Sequence, residues 1–229
     1  MRLPLLVTCG ALALGACGDD EVTTDAPVAG VDARAIDARG CLSLWKVRAD
    51  VGAGAAITGG ALVLTATDMD AGSALEVTQT GLTGDFDATF TVSDFTAAGT
   101  GAFVQAAVSE AVAQPTQIFT AGLGTFPTVG LGVADQPSGT ADLQATALTA
   151  ATLRFQRTGS DVTVTATAAD ATASITGTSN AATLQLGVQL GSNMGAVTGD
   201  TRAVIDGFVV TGAGVTSDTF DCDSLLPQL

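Results

Sequence analysis

Most of the chain after residue 41 consists of short stretches in which apolar and polar residues alternate strictly. In residues 85–92, 161–168 and 183–190, the even-numbered positions hold Phe, Ala, Val or Leu, and the odd-numbered positions hold Asp, Thr, Gln or Gly. A period of two places successive side chains on opposite faces of a strand, so one face is buried and the other meets solvent. The pattern predicts an all-β protein built from antiparallel sheets.

Turn residues divide these stretches at the spacing expected of hairpins. Gly59-Gly60 separates two of them, and Thr158-Gly159-Ser160 separates another two. We predict about twelve strands in residues 42–212, arranged as an antiparallel two-sheet β-sandwich. Residues 107–114 and 134–150 are expected to form long loops or a helical turn.

The residue types that are missing exclude several classes of chemistry. The 229-residue chain has no His, and its 23 acidic and 8 basic residues give a formal charge of −15. Without His, a Ser-His-Asp or Cys-His catalytic arrangement and a His-ligated zinc site cannot be built. The negative charge argues against nucleic acid, because proteins bind phosphates through Lys and Arg. A mean hydropathy of +0.44 argues against a largely disordered chain.

Residues 1–16 have the features of an export signal. Arg2 provides a minimal positive start, and residues 3–14 are uncharged and mostly apolar but too short to span a bilayer. The segment ends in Leu14-Gly15-Ala16-Cys17, which resembles the lipobox of bacterial lipoproteins. The resemblance implies cleavage before Cys17 and attachment of a diacylglycerol and an N-acyl chain such as palmitate. In enteric bacteria an Asp after that Cys favours inner-membrane retention, and Gly18 at this position is compatible with delivery to the outer membrane. The alternative is an ordinary secretory signal that contains a Cys.

Two further cysteines bracket the predicted domain. Residues 17–40 are interpreted as the lipidated Cys and an acidic, flexible tether, and residues 41–229 as the β-sandwich domain. Export places the chain in an oxidising compartment, where a lone pair of cysteines is usually bridged. Cys41 and Cys222 are therefore predicted to form a disulfide, which would contribute about 5 kcal/mol by restricting the unfolded chain. Two free thiols are the alternative.

Three stretches follow recognisable strand patterns: residues 84–92 read G-D-F-x-x-x-F-x-V, residues 153–162 form an L-R-hydrophobic-x-R-x-G hairpin, and residues 203–210 read hydrophobic-D-x-F-x-V. These stretches resemble strands of the concanavalin A-like lectin/glucanase jelly roll, including its laminin G-like branch, in which the third is the closing strand. The resemblance implies the same two-sheet sandwich over about residues 45–212. It also implies that the last core strand pairs near the first, which would bring Cys41 and Cys222 together.

Some members of that family are glucanases whose paired Glu residues lie in a Glu-x-Asp-x-Glu strand. The pattern is absent here, because Glu21, Glu76 and Glu110 lie far apart in the sequence. Asp85 and Asp87 share a strand face and are the remaining carboxylate candidates, with a solvated polar face as the alternative. The sequence therefore predicts no catalytic residue.

Other members hold Ca²⁺ through carboxylate and carbonyl oxygens. Asp68 and Asp70, in a turn that contains Gly72, form a weak candidate for a structural Ca²⁺ site, with an acidic surface loop as the alternative. No other cofactor or metal is predicted. Trp45 lies in an apolar context that predicts a core position rather than a sugar-stacking platform. Ligand-binding residues stay unassigned.

The leading hypothesis is a lipid-anchored protein of the bacterial cell envelope that displays a non-catalytic β-sandwich as a binding or structural module. The membrane holds the lipid, and a glycan or another envelope protein is the expected ligand. The alternatives are a polysaccharide hydrolase that uses Asp carboxylates and a purely structural surface component. Two carboxylates about 5–9 Å apart in one groove would favour the hydrolase.

Overall fold

The computed structural model describes residues 45–126, 129–136, 138–144, 148–193, 195–215 and 220. The predicted signal, the tether, Cys17, Cys41 and Cys222 lie outside the described residues. Every regular element within the described ranges is a β-strand, as the alternating pattern predicted. No helix in these ranges is long and apolar enough to cross a membrane.

Thirteen strands form within the described part of the chain. β1 covers Lys46–Ala49, β2 Ala53–Thr58, β3 Ala61–Met69, β4 Gly72–Ala97, β5 Ala102–Glu110, β6 Ile118–Phe126 and β7 Val129–Gln136. β8 covers Thr140–Gln144, β9 Ala151–Thr158, β10 Asp161–Ala168, β11 Ala171–Thr178, β12 Thr183–Ser192 and β13 Val197–Ala213. All paired strands are antiparallel.

The strands form two layers that share β4. The strand pairings give the first layer the order β11-β10-β9-β4-β13-β3-β2 and the second the order β1-β4-β12-β5-β6-β7-β8. Residues 72–83 of β4 pair with β12 in the second layer, and residues 86–92 pair with β9 in the first. Gly81 and Gly84, at φ 111° and 63°, lie where the strand leaves one layer for the other. Glycine adopts these angles without the clash that a Cβ causes.

The apolar faces predicted from the alternating pattern meet between the layers. Phe90, Phe155 and Leu186 are each completely buried, as are most of the apolar residues that share the inward face of their strands. Burial of these side chains between two sheets is the main contribution to the stability of such a sandwich.

An aromatic cluster lies within this core. The ring of Phe208 stacks on Phe90 with centroids 4.7 Å apart, and Trp45 meets Phe208 edge-on at 5.5 Å. Phe220 lies 6.1 Å from Trp45. Trp45 is only 1% exposed, so the prediction of a core position is confirmed and its alternative role as a sugar-stacking platform is excluded.

The predicted hairpins are confirmed, whereas two predicted loops are wrong in part. Gly59 and Gly60 join β2 to β3 with φ of 61° and 79°, the two positive angles that a tight two-residue hairpin needs. β9 and β10 are joined at Gly159-Ser160. β5 continues to Glu110, and β8 occupies residues 140–144, because pairing with neighbouring strands orders segments that lack a strong local pattern.

Candidate functional site

A small depression on the outer face of the second layer is surrounded by polar side chains. It has a volume of about 10 Å³, enough for one water-sized group. Eight residues from three neighbouring strands line it: Glu76 and Thr78 of β4, Gln185, Leu186, Gly187 and Gln189 of β12, and Ala107 and Ser109 of β5. The site is therefore a position for a single hydroxyl or amide group rather than a deep pocket.

The strand register explains why these side chains converge. Glu76, Gln189 and Gln105 lie opposite one another in one row across β4, β12 and β5. The next row contains Gly187 and Ala107, whose small size leaves room between the polar rows. The apolar neighbours on β12 point into the core, so the alternating residues must point outward.

Hydrogen bonds connect the first row into a continuous chain, which we call the polar row and define as Arg48, Glu76, Gln189 and Gln105. Gln105 Nε2 donates to Gln189 Oε1 at 2.8 Å, and Gln189 Nε2 donates to Glu76 Oε1 at 3.2 Å. Arg48 Nε lies 3.7 Å from Glu76 Oε2. The row therefore fixes the positions of donors and acceptors on four adjacent strands before any ligand arrives.

Burial distinguishes this row from an ordinary solvated strand face. Glu76 is 6% exposed and Gln189 is 2% exposed, although both belong to the outward face of their strands. Polar side chains at this depth are stable only when they are hydrogen-bonded. On the far side of the depression, Gln185 Nε2 donates to the hydroxyl of Ser109 at 3.1 Å.

β4 and β12 approach each other so closely at Gly187 that no side chain fits there, and the depression stays open because this position has none. A Cβ at Gly187 would lie 2.7 Å from Thr78 Cγ2 and 2.7 Å from the Val77 carbonyl oxygen. No other residue type fits there without moving one of the two strands. The absence of a side chain at Gly187 leaves the polar groups of both neighbouring rows facing the same small space.

Asp85 and Asp87, the carboxylate candidates from the sequence, lie on the first layer and are hydrogen-bonded to other residues of the protein. Asp87 accepts hydrogen bonds from Arg154 Nε at 2.9 Å, from Arg154 Nη2 and from Gln156 Nε2 at 3.0 Å. The hydrogen bond and the charge of Arg154, together with Gln156, hold the pKa of Asp87 below its usual value against the opposing effect of burial. Asp85 Oδ1 accepts the N–H of Gly159 at 2.7 Å, which ties β4 to the β9–β10 turn.

Asp68, one of the two residues of the candidate Ca²⁺ site, also has a hydrogen-bond partner within the protein. Asp68 adopts a left-handed φ of 56°, and its Oδ1 accepts the N–H of Gly199 at 2.8 Å. Asp70 is exposed. In the part of the chain that the structure describes, no three His, Cys, Asp or Glu residues come together as a metal site. The geometry therefore gives Asp68 and Asp70 no third ligand of that kind.

Sequence reasoning missed the polar row. Gln185 and Gln189 stood out only as the polar face of a strand, and Glu76 only as an isolated acid. The sequence did contain one signal, which is the presence of Gln185 and Gln189 two residues before and two residues after Gly187. Nothing in the sequence indicates which strands lie beside them.

Comparison with known proteins finds similarity in structure alone. No protein-family model matches the sequence, and no curated protein matches it. The fold is similar to the lectin UEA-II complexed with galactose, with a TM-score of 0.52, 10% identity, and coverage of 74% of this chain and 93% of that chain. The exoplasmic/lumenal domain of VIP36 in its Ca²⁺/Man-bound form gives a TM-score of 0.50 at 12% identity, covering 86% and 95% of the two chains.

A glucanase is also among the similar structures. Bacillus licheniformis β-glucanase gives a TM-score of 0.48 at 11% identity and covers 74% of this chain and 92% of that chain. The predicted concanavalin A-like jelly-roll fold is confirmed by the lectin likenesses. At these identities the likenesses define the fold and assign no residue of the site.

Proposed function

We propose that this protein is a non-catalytic carbohydrate-binding module and that the depression beside the polar row receives a hydroxyl group of the sugar. The observation that supports this most strongly is the hydrogen-bonded row of buried Glu76, buried Gln189 and half-buried Gln105 next to a water-sized space. Amide and carboxylate groups held in place by the protein can donate to and accept from sugar hydroxyls at little entropic cost. The lectins of similar fold are in complexes with galactose and mannose, which is consistent with this ligand class.

Binding is favoured over hydrolysis by the number of carboxylates at the site. Glycosidases generally need two carboxyl groups that face one bond. Glu76 is the one carboxylate among the residues that line the depression, while Asp85 and Asp87 belong to the other layer. Glu110 is occupied by the N–H and hydroxyl of Thr116 at 2.8 and 3.0 Å.

The test is a glycan array followed by titration calorimetry on the purified chain. Gln185→Ala removes an amide at the edge of the depression, and we expect a fivefold to tenfold weaker Kd, about one net hydrogen bond. Gln156→Ala is the matched control, because Gln156 is a half-buried glutamine on the outer face of the first layer. Equal affinities of the two variants, or an array on which no glycan binds, would exclude this site.

We further propose that Cys17 carries lipid and anchors the protein in the outer membrane of a bacterial envelope, and that a Cys41–Cys222 disulfide closes the domain. One acyl chain gives only marginal membrane binding, whereas a lipoprotein anchor supplies two or three. Cys17→Ser is expected to move the protein out of the membrane fraction, and Cys9→Ser, in the signal segment, is the control. Intact mass spectrometry of the mature protein would refute the anchor by finding no acyl mass, and the bridge by finding two free domain thiols.

A further inference from the structure

The outer face of the second layer differs in charge from the rest of the protein. In the described part of the chain, the outward positions of its strands hold three charged residues, which are Lys46 and Arg48 of β1 and Glu76 of β4. Two cations and one anion give this face a formal charge of +1, whereas the whole chain carries −15. Asp87 and Asp161 lie on the outer face of the first layer instead. An anionic ligand is therefore repelled less at this face than over the rest of the surface.

The two cations of β1 lie in the same rows as the candidate site. Lys46 is opposite Thr78, and Thr78 is opposite Gly187, so these three residues form one row through the depression. Arg48 is opposite Glu76 in the polar row. Because neighbouring strands are about 4.8 Å apart, the backbone of Lys46 lies about 10 Å from that of Gly187. This distance is comparable to the length of a disaccharide, so a short sugar chain that begins at the depression reaches Lys46.

The two cations differ in whether the protein already balances their charge. Arg48 Nε lies 3.7 Å from Glu76 Oε2, so Arg48 has an acidic partner within the protein. Lys46 is exposed and forms no ion pair with any residue that the structure describes. Its ammonium group offers three hydrogen-bond donors. Glu76 is 6% exposed and bonded to Gln189, so it presents little unbalanced charge to a ligand, and Lys46 is the cation available to one.

We propose that the sugar bound at this site is acidic and that its anionic group, a carboxylate or a sulfate, contacts the ammonium group of Lys46. The inference rests on the proposed carbohydrate site: the depression receives a hydroxyl group, and Lys46 selects the class of sugar chain that carries it. A neutral sugar forms the same hydrogen bonds with the polar row but forms no ion pair with Lys46. Hydrogen bonds between charged groups are about twice as strong as neutral ones, so Lys46 discriminates between the two ligand classes.

The acids elsewhere on the protein do not cancel this attraction. At physiological ionic strength the Debye length is about 8 Å. The outer face of the first layer is farther from the ligand than the sheet spacing of about 10 Å, so the repulsion from its acids is largely screened. An anionic group in contact with Lys46 lies well within the Debye length. The local cation therefore determines the sign of the interaction at the site, although the net charge of the chain is negative.

Calorimetric titration of the purified chain with two pairs of probes tests the inference. One pair is oligogalacturonate and its carboxyl-reduced counterpart, and the other is an oligosaccharide of a sulfated galactan and its desulfated counterpart. We expect the acidic member of at least one pair to bind at least about fivefold more tightly than its neutral member, and that pair identifies the anion. Lys46→Gln should abolish the difference by weakening the binding of the acidic member alone. Lys46→Arg keeps the charge and should preserve the difference.

Arg202→Gln is the matched control, because it removes one positive charge from β13 of the first layer, where Arg202 pairs with Asp94. Its affinities should equal those of the wild type. Equal Kd values for the acidic and neutral members, or equal effects of Lys46→Gln and Arg202→Gln, would overturn the inference. Weaker binding by Gln185→Ala would in that case still support the carbohydrate site. A chain that binds neither these probes nor any glycan of an array would refute the carbohydrate site itself, and this inference with it.

Discussion

Truncation of Phe208 to Ala tests whether the two layers enclose the aromatic cluster as described. The Phe208 side chain is completely buried, stacked on Phe90 at 4.7 Å and in edge contact with Trp45 at 5.5 Å. Removal of a buried Phe ring costs about 3–5 kcal/mol through lost transfer free energy and the cavity left behind. Each aromatic pair adds about 0.5–1.5 kcal/mol. We therefore expect a loss of about 4–5 kcal/mol in the free energy of unfolding.

Urea denaturation followed by tryptophan fluorescence measures this change, because Trp45 reports directly on the cluster. With a slope of about 2–3 kcal/mol per molar urea, the midpoint should fall by about 1.3–2.5 M. Val209→Ala is the matched control on the same strand, since Val209 is 57% exposed and its truncation should cost less than about 0.5 kcal/mol. Similar losses for the two variants would mean that Phe208 does not lie between two packed layers, and the described fold would be refuted.

Two further predictions concern contacts between distant strands. A Cβ at Gly177 would lie 2.4 Å from Asp135 Oδ2 and 2.7 Å from Phe119 Cε1, so Gly177→Ala should cost about 1–3 kcal/mol in thermal or urea unfolding. Gly207→Ala, with no atom within 4 Å of its Cβ, should be close to neutral, and equal effects would contradict the packing at Gly177. Asp87→Asn should cost about 0.5–1 kcal/mol at pH 7, because its ion pair is partly exposed. The lowered pKa of Asp87 means that wild type keeps this stability above the ordinary Asp pKa and loses it as the pH falls through the lowered pKa, so the two proteins should converge only at a pH below the usual Asp range. A pH-independent difference would contradict that assignment.

The outward face of the candidate site could be predicted from the sequence, but the burial of its polar residues could not. The alternation in residues 183–190 correctly separates an apolar inner face from a polar outer face, and the outer face is where Gln185 and Gln189 lie. The pattern assigns such residues to solvent, yet Gln189 is 2% exposed. Its burial depends on neighbours from other strands, and no local property of β12 encodes them.

Alternation and turn chemistry are local quantities, and for that reason the strands, their inward faces and the hairpin at Gly59-Gly60 were predictable from the chain alone. Strand neighbours are set by long-range pairing: Gln189 bonds to Glu76 across 113 residues and to Gln105 across 84. The pairing of β12 with β4 on one side and with β5 on the other brings these three residues into one row. A period of two fixes the face on which a side chain lies, but only the packing of the whole sandwich fixes which side chain stands beside it.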